Sequence, residues 1–307
     1  MFDDEAQWSE AAVAALEDHL VALVDEVFPG RAQVLRIQPD GAIHPPLIDE
    51  RYPRLPTFRG PVGGSVPVVL TVHDLAVLRA PEAFPRWHRL YGRAGLQRVL
   101  EGADAVVAVS EFTKGEVVDL VGIPADRIRV VPNGVDPVFR PATPSDTVSQ
   151  GEYVLAVSTL EPRKNLARAV EAAKLAGVEL RVVGARGWGG VEVPGWVGEV
   201  PDAELAALYR GARCLLYPSL YEGFGVPVFE AMACGTPVVT SRGTAMEEVA
   251  GGAAVLVDPL DVQAIADGIE EAAQRRDELV GLGLARAREF TWESSADSIE
   301  LLWRELA

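Results

Sequence analysis

Two glutamates separated by seven residues are the first candidates for binding a ligand rich in hydroxyl groups. Glu222 lies in a loop after a predicted strand that ends at Tyr217, and Glu230 lies one turn inside a helix predicted over Val226–Ala233. A carboxylate offers only acceptors, so it suits a pair of neighbouring hydroxyls. The glycine-containing loop before the helix aims backbone N–H groups and the positive end of the helix dipole at a ligand above the strand. The stretch therefore predicts a site for an anion such as a pyrophosphate.

The elements that must position these residues alternate between strand and helix. Apolar runs bounded by glycine, proline or small polar residues predict strands over 33–37, 68–72, 105–109, 128–131, 153–157, 179–183, 214–217, 237–240 and 254–257. Helices are predicted over 10–28, 86–100, 111–121, 166–176, 202–210, 226–233, 262–275 and 292–306. This alternation is typical of parallel βαβ units and predicts an α/β protein with two doubly wound domains. In such sheets ligands bind beyond the carboxyl ends of the strands, which is where Glu222 falls.

The length of the chain and one loop-like segment predict where the domains divide. The chain has 307 residues, which exceeds one typical core of about 150 residues. Asp136–Gln150 holds three prolines and many small polar residues, as interdomain linkers do. We therefore predict an N-terminal domain over 1–141 and a C-terminal domain over 142–307.

Composition argues against several classes of protein. The formal net charge of −17 would repel a phosphate backbone and disfavours a nucleic-acid partner. Cys214 and Cys234 lie in apolar stretches, which favours buried thiols in a reducing cytosol. No apolar run approaches the roughly 20 residues that span a bilayer, and no cluster has metal-ligand spacing. We expect a cytoplasmic protein that binds no metal and no separate cofactor, with a peripheral contact at the inner face of the membrane left open.

The stretch from Tyr217 to Pro237 carries a family resemblance. Glu222 and Glu230 match the E-x₇-E signature of the retaining GT-B glycosyltransferases of group 1 (family 4), and the flanking Pro-Ser and Glu-Ala-Met-Ala-Cys-Gly-Thr-Pro-Val-Val match as well. The resemblance runs from about Val68 to the C-terminus. It implies two Rossmann-like domains with an interdomain cleft, an acceptor-side N-terminal domain and a C-terminal domain that binds a nucleotide sugar.

The resemblance also implies roles for matched residues. Glu222 would contact the hydroxyls of the donor sugar, and Glu230 would bind the ribose diol. The glycine loop would cradle the phosphate and sugar through its backbone at Gly223, Phe224 and Gly225. The segment from Val197 resembles the strand and loop that line the nucleobase pocket of the family, and its contacts would come from Gly198, Val200 and Leu205.

A basic pair in the stretch Thr-Leu-Glu-Pro-Arg163-Lys164-Asn is the candidate for neutralising the leaving diphosphate, whose charge grows as the glycosidic bond breaks. Most of the family has Gly-Arg at Ser158 and Thr159, followed by a lysine that matches Lys164. This chain lacks that arginine and resembles a mannosyltransferase-like branch, in which an arginine directly precedes the lysine. The alternative is an exposed basic pair at the start of a helix.

His73, at the end of a predicted buried strand, matches a site histidine of the family and would line the reaction centre; a structural histidine is the alternative. Ser110 is predicted to cap the helix that follows it. The family begins with a strand and a glycine-rich loop, whereas about 67 residues with weak resemblance precede Val68 here. We therefore expect a shortened N-terminal domain, with the last helix packing back upon it.

The resemblance implies a retaining, metal-independent hexosyltransferase. The donor would be a nucleotide-diphosphate sugar, with GDP-mannose suggested only by the branch resemblance, and the acceptor a saccharide or a lipid-linked glycan. Attack would come from the front face, so no enzyme nucleophile is required. Two alternatives stay open: a non-catalytic relative that binds a nucleotide or acts as a scaffold, and another GT-B enzyme such as a nucleotide-sugar epimerase or a protein like glycogen phosphorylase.

Overall fold

The computed structural model describes residues 68–79, 96–144 and 151–306. The helix predicted over 10–28, the strand predicted over 33–37 and most of the helix predicted over 86–100 lie outside these residues. The described residues divide into two compact units, one containing those up to Gly134 together with 292–306, the other containing those between Val135 and Thr291. The division falls ahead of the boundary predicted at 141/142, because Phe139 packs edge-on against Tyr209 and Arg210 donates to the carbonyl of Arg140 within the second unit.

The first unit contains a sheet of three parallel strands in the order β1–β2–β3. The strands are β1 Val69–Val72, β2 Ala105–Ala108 and β3 Ile128–Val130. The helices here are α1 Ala76–Arg79 and α2 Glu111–Glu116, which continues as a π-helix over Val117–Val121, and the chain is also helical over 96–101. The predicted cap is confirmed, since the Ser110 hydroxyl accepts the Thr113 N–H at 3.0 Å.

The last helix, α9 (Trp292–Leu306), belongs to this first unit. Its Leu302 is buried against Ala105, Val107 and Val131. Ser295 Oγ donates to the Pro132 carbonyl at 2.6 Å, and Arg129 of β3 pairs with Glu305. The apolar side of α9, which the amphipathic pattern predicts, therefore forms one face of this small core.

The second unit contains a sheet of six parallel strands in the order β6–β5–β4–β7–β8–β9. The strands are β4 Tyr153–Val157, β5 Glu179–Val183, β6 Trp196–Gly198, β7 Leu215–Tyr217, β8 Val238–Ser241 and β9 Val255–Val257. The helices are α3 Leu166–Leu175, α4 Asp202–Gly211, α5 Val226–Ala233, α6 Ala245–Ala250, α7 Val262–Gln274 and α8 Arg276–Ala287. Within the described ranges, no helix is both long enough and apolar enough to cross a membrane.

Two helices of the second unit escape the sequence prediction. The buried face of α8 consists of Leu279, Gly283 and Ala287, so two of its three core positions are small and give no apolar stripe. Helix α6 has only six residues and ends at Gly251, which lies in the left-handed region. A helix this short in a glycine-containing stretch gives no clear apolar periodicity. Both helices owe their formation to packing rather than to a strong local pattern.

The order of the strands reverses between β4 and β7, and this reversal positions the candidate site. From β4 the chain winds outward to β5 and β6, then returns to place β7 on the other side of β4. The loops after these two strands therefore leave the same edge of the sheet side by side. Leu220 N–H donates to the Arg163 carbonyl at 2.9 Å, and Asn165 Nδ2 donates to the Pro218 carbonyl at 3.0 Å, so the two loops are tied together. Crevices at such reversals bind ligands in doubly wound proteins.

Asn165 is the residue on which this tie can be tested. It adopts φ 60°, and its amide also donates to the Pro259 carbonyl at 2.7 Å. Asn165→Gly keeps the left-handed backbone without strain. It removes these two hydrogen bonds and a third, which Arg168 NH1 donates to Asn165 Oδ1 at 2.9 Å. At about 1 kcal/mol for each bond, we expect the free energy of unfolding in urea to fall by about 3 kcal/mol. Asn165→Ala should cost about 1 kcal/mol more, because alanine is strained at positive φ; a glycine variant as stable as the wild type would contradict the tie.

Candidate functional site

A buried cluster of opposite charges joins the loops after β4 and β7. The Lys164 ammonium donates a hydrogen bond to Glu222 Oε1 at 2.8 Å, and Arg163 NH1 donates one to Glu222 Oε2 at 2.8 Å. The Tyr217 hydroxyl, at the end of β7, also donates to Glu222 Oε1 at 2.9 Å. The structure thus brings together three of the four residues predicted to be catalytic: Arg163, Lys164 and Glu222.

The electrostatics of Glu222 are set by its two cations. Burial alone would raise the pKa of this carboxyl, because only 7% of the residue is exposed. The charges of Arg163 and Lys164 outweigh burial and lower the pKa to about 2. Glu222 is therefore an anion throughout the physiological range. The basic pair is not the exposed pair that the alternative interpretation required, since the side chains of Arg163 and Lys164 are 11% and 6% exposed.

Glu161 extends this cluster and is not among the residues predicted from the sequence. Its Oε1 accepts Arg163 NH2 at 2.7 Å, and the residue is 2% exposed. Burial raises the pKa of Glu161, and the neighbouring Arg163 and Lys164 only partly oppose that rise. The one signal for it in the sequence was its place two residues before Arg163.

Glu230, on α5, is the second glutamate of the motif, and no positive charge is among the causes of its pKa shift. Its Oε2 accepts the hydroxyl of Tyr209 at 2.7 Å. Burial raises the pKa of Glu230 to about 7; the Tyr209 hydrogen bond opposes the rise, and the charges of Asp202 and Asp136 add to it. The predicted ribose carboxylate is therefore half protonated near neutral pH.

The start of α5 requires the glycine that the motif carries there. Gly225 has φ 95°, and a Cβ at this position would lie 2.9 Å from Met246 Cγ. The helix has no side-chain cap at its N-terminus, so its first turn keeps the partial positive charge that suits an anion. Phe224 points into an aromatic group with Phe229 and Phe290, at ring-centroid distances of 5.3 and 6.3 Å. The side chain of Phe224 thus anchors the loop. Gly223 lies between Glu222 and Phe224 in the sequence.

The residues predicted for the nucleobase pocket lie on the connection from β6 to α4. Gly198 ends β6 with φ 93°, and its carbonyl accepts the Gly184 N–H at 3.0 Å. Val200 is half-buried, and Leu205 is buried on α4, one turn before Tyr209. The same helix therefore carries a predicted nucleobase contact and the partner of Glu230.

His73 is the predicted site residue that belongs to the first unit. It directly follows the carboxyl end of β1 and is half-buried. Every other predicted site residue belongs to the second unit. In the described segments, no group of three or more His, Cys, Asp and Glu side chains has an arrangement suited to a metal ion.

Known proteins match both halves of the chain. Residues 143–282 match the family described as Glycosyl transferases group 1, and residues 36–139 match Glycosyltransferase Family 4. O-antigen chain mannosyltransferase B of Escherichia coli is 36% identical over 256 residues, covering 74% of this chain and 67% of that protein. The serotype-specific mannosyltransferase WbdA of Escherichia coli is 28% identical over 264 residues, covering 74% of this chain and 32% of that protein.

Solved structures match the fold. Anabaena Alr3699/HepE in complex with UDP and glucose aligns with a TM-score of 0.64 at 23% identity, covering 78% of this chain and 71% of that chain. Sucrose-phosphate synthase from Thermosynechococcus elongatus aligns with a TM-score of 0.63 at 23% identity, covering 78% and 67%. The predicted α/β class and GT-B fold are confirmed.

The parallel sheets and their structural neighbours define a GT-B fold. Within that class, the chain belongs to glycosyltransferase family 4, the group 1 glycosyl transferases, and its named homologues include mannosyltransferases. It spans about two thirds of the length of mannosyltransferase B and about one third of WbdA.

The pH dependence of stability tests the Glu222 cluster. The folded pKa of about 2 lies below the ordinary value of 4.5, so the contribution of Glu222 is complete above pH 4.5 and is lost as the pH falls through 2. This shift corresponds to about 3 kcal/mol. We expect Glu222→Gln to lower the free energy of unfolding by that amount at pH 7, and the difference from the wild type to shrink below pH 4.5.

The matched control for this measurement is Glu270→Gln. Glu270 pairs with Arg213 at 3.2 Å, but its side chain is 46% exposed, so its removal should cost less than about 1 kcal/mol. Equal losses in the two variants, or a Glu222 difference that does not change with pH, would show that the cluster adds no special stability.

Proposed function

We propose that this protein transfers a hexose, with retention of configuration, from a nucleotide-diphosphate sugar to a saccharide or lipid-linked acceptor. The observation that carries the proposal is the placement of Arg163, Lys164 and Glu222 at the reversal of strand order, with Glu230 one turn inside the adjacent helix. This arrangement offers cations for a diphosphate and carboxylates for hydroxyl groups on the segments that follow two neighbouring strands. Glycosyl transfer from a nucleotide sugar needs both.

The chemistry assigned to the cluster follows from its charges. Without a ligand, Glu222 forms ion pairs with both cations, and Arg163 also pairs with Glu161. When the donor binds, its diphosphate would take over contacts with Arg163 and Lys164, while Glu222 would accept hydroxyls of the donor sugar. As the bond between the anomeric carbon and the phosphate oxygen breaks, negative charge grows on the leaving diphosphate, and the two cations stabilise it in a site shielded from water.

The acceptor hydroxyl would attack from the face that the diphosphate leaves. A phosphate oxygen of the leaving group takes the acceptor's proton, so the protein needs no nucleophile of its own. We keep His73 as a residue that would contact the reacting groups. We propose that the reaction is independent of a metal ion, since Arg163 and Lys164 provide positive charge at the leaving group.

Mannose and a guanine nucleotide are the donor groups that we favour. The Thr-Leu-Glu-Pro-Arg-Lys-Asn stretch and the 36% identity to a protein named as a mannosyltransferase support the sugar. Gly198, Val200 and Leu205 would line the pocket for the base, and the backbone of Gly223, Phe224 and Gly225 would cradle the phosphate and sugar. We further propose that the protein works in the cytoplasm, where it meets lipid-linked acceptors by peripheral contact with the membrane.

Calorimetric titration tests the donor site. GDP, UDP, dTDP and ADP are titrated into the wild type, Glu230→Gln and the exposed control Glu270→Gln. We expect one nucleotide to bind the wild type in the micromolar range, about −8 kcal/mol. Loss of a charged acceptor from the ribose should weaken binding by about 10- to 100-fold in Glu230→Gln, with Glu270→Gln unchanged. If no nucleotide binds the wild type, the assignment of a donor site to these residues is contradicted.

Turnover is tested separately with GDP-mannose, a panel of mannose-containing and lipid-linked acceptors, and EDTA throughout. We expect transfer by the wild type in EDTA, an anomeric proton signal that shows retention, and a roughly 10²- to 10³-fold slower rate in Lys164→Gln. Loss of transfer in EDTA would contradict metal independence. Tight nucleotide binding without transfer from any sugar nucleotide would instead identify a non-catalytic relative.

A further inference from the structure

Tyr209 is a buried residue that neither the sequence motifs nor the proposed reaction uses. It lies near the end of α4, none of its surface is exposed, and its hydroxyl donates to Glu230 Oε2 at 2.7 Å. Helices α4 and α5 are therefore joined through the carboxylate that would bind the ribose. A buried hydroxyl needs a partner wherever it lies, and here that partner is the carboxylate proposed to bind the ribose.

The position of the Tyr209 side chain is fixed from two further directions. Its ring packs edge-on against Phe139, with centroids 5.9 Å apart and an interplanar angle of 78°. Its own carbonyl accepts the hydroxyl of Thr236, in the turn after α5, at 2.7 Å. Because the ring is held on one side and the backbone on the other, the hydroxyl has little freedom to move away from Glu230.

We propose that Tyr209 is a positioning residue for the donor ribose: its hydroxyl holds one oxygen of Glu230 so that the other oxygen is presented to the ribose diol. The inference rests on the proposed function, in which Glu230 binds the ribose. A carboxylate can accept several hydrogen bonds, so the Tyr209 bond and the ribose bonds are compatible. The geometry assigns Tyr209 no contact with the nucleotide itself.

The charges around Glu230 give this role a signature that a structural role would lack. The groups that face Glu230 are Tyr209 and Asp202 from α4, Asp136 from the segment before β4, and Cys234 from the end of its own helix. Burial raises the pKa of Glu230 to about 7, and the Tyr209 hydrogen bond is the interaction that lowers it. Without the hydroxyl, the pKa rises further, and a larger fraction of Glu230 is protonated at pH 7.

Nucleotide affinity should therefore rise as the pH increases through 7, because the ionised carboxylate is the stronger acceptor for hydroxyl groups. In Tyr209→Phe the midpoint of this rise should move up by about one pH unit, which lowers the ionised fraction of Glu230, and with it the affinity at pH 7, about fivefold. The measurement is calorimetric titration with GDP and UDP between pH 6 and 9. Thermal melting of both proteins confirms that the variant is folded.

Tyr153→Phe is the matched control. Tyr153 is also buried in the second unit, but its hydroxyl donates to the Leu208 carbonyl at 2.7 Å. This variant loses one hydroxyl and one hydrogen bond, as Tyr209→Phe does. It should bind the nucleotide with the wild-type affinity and the wild-type pH midpoint, since its hydroxyl does not touch Glu230.

The 2′,3′-dideoxy forms of GDP and UDP complete the test. They lack the hydroxyls that Glu230 would accept, so the difference between the wild type and Tyr209→Phe should disappear with them. An equal loss of affinity for normal and dideoxy nucleotides, or an unchanged pH midpoint, would overturn the positioning role while leaving the donor site intact. Failure of the wild type to bind either normal nucleotide would instead overturn the proposed function, and the role of Tyr209 with it.

Discussion

The ion pairs that hold Glu222 between Arg163 and Lys164 constrain much of the second unit. The cations follow β4 and the carboxylate follows β7, so the pairs form only where these strands are neighbours. Removing one partner from such a buried pair leaves a charge uncompensated, at a cost of about 3–5 kcal/mol. The hydrogen bonds that tie the two loops, the left-handed Asn165 and the buried Glu161 all serve to keep these charges together.

The two glutamates of the motif show how environment separates identical side chains. Glu222 lies between two cations and has a pKa of about 2. Glu230 is equally buried but has a neutral tyrosine as its hydrogen-bond partner and two aspartates nearby, and its pKa is raised to about 7. One carboxylate is therefore an anion that pairs with both cations, whereas the other changes charge near neutral pH. Identical side chains whose pKa values are shifted in opposite directions are typical of functional sites.

The acidity of the chain does not conflict with an anionic ligand. A formal net charge of −17 acts at long range and is screened by salt within about 10 Å. At the candidate site the relevant positive charges are Arg163 and Lys164, which follow β4, and the first turn of α5, which follows β7. Since both cations already pair with Glu222, a diphosphate that bound there would replace one anionic partner with another.

Local signals in the sequence determined the elements and the class of the protein. The strand Tyr153–Val157 and the helices Val226–Ala233 and Trp292–Leu306 have the predicted bounds, because apolar periodicity and flanking glycine or proline act over a few residues. The motif around Glu222 and Glu230 likewise indicated the family, which the comparisons confirm. Where the buried face was made of small residues, as in α8, the local signal failed.

The partners of the site residues were decided only by the tertiary structure. Tyr209 and Glu230 are 21 residues apart, and Lys164 and Glu222 are 58 apart. No spacing rule links such positions, because their contact depends on the order of strands in the sheet and on how α4 packs against α5. The sequence by itself determined the family and the candidate side chains for a ligand site. The fold decided which of them are paired, which are buried and therefore what charge each carries, since desolvation and neighbouring charges act through space and not along the chain.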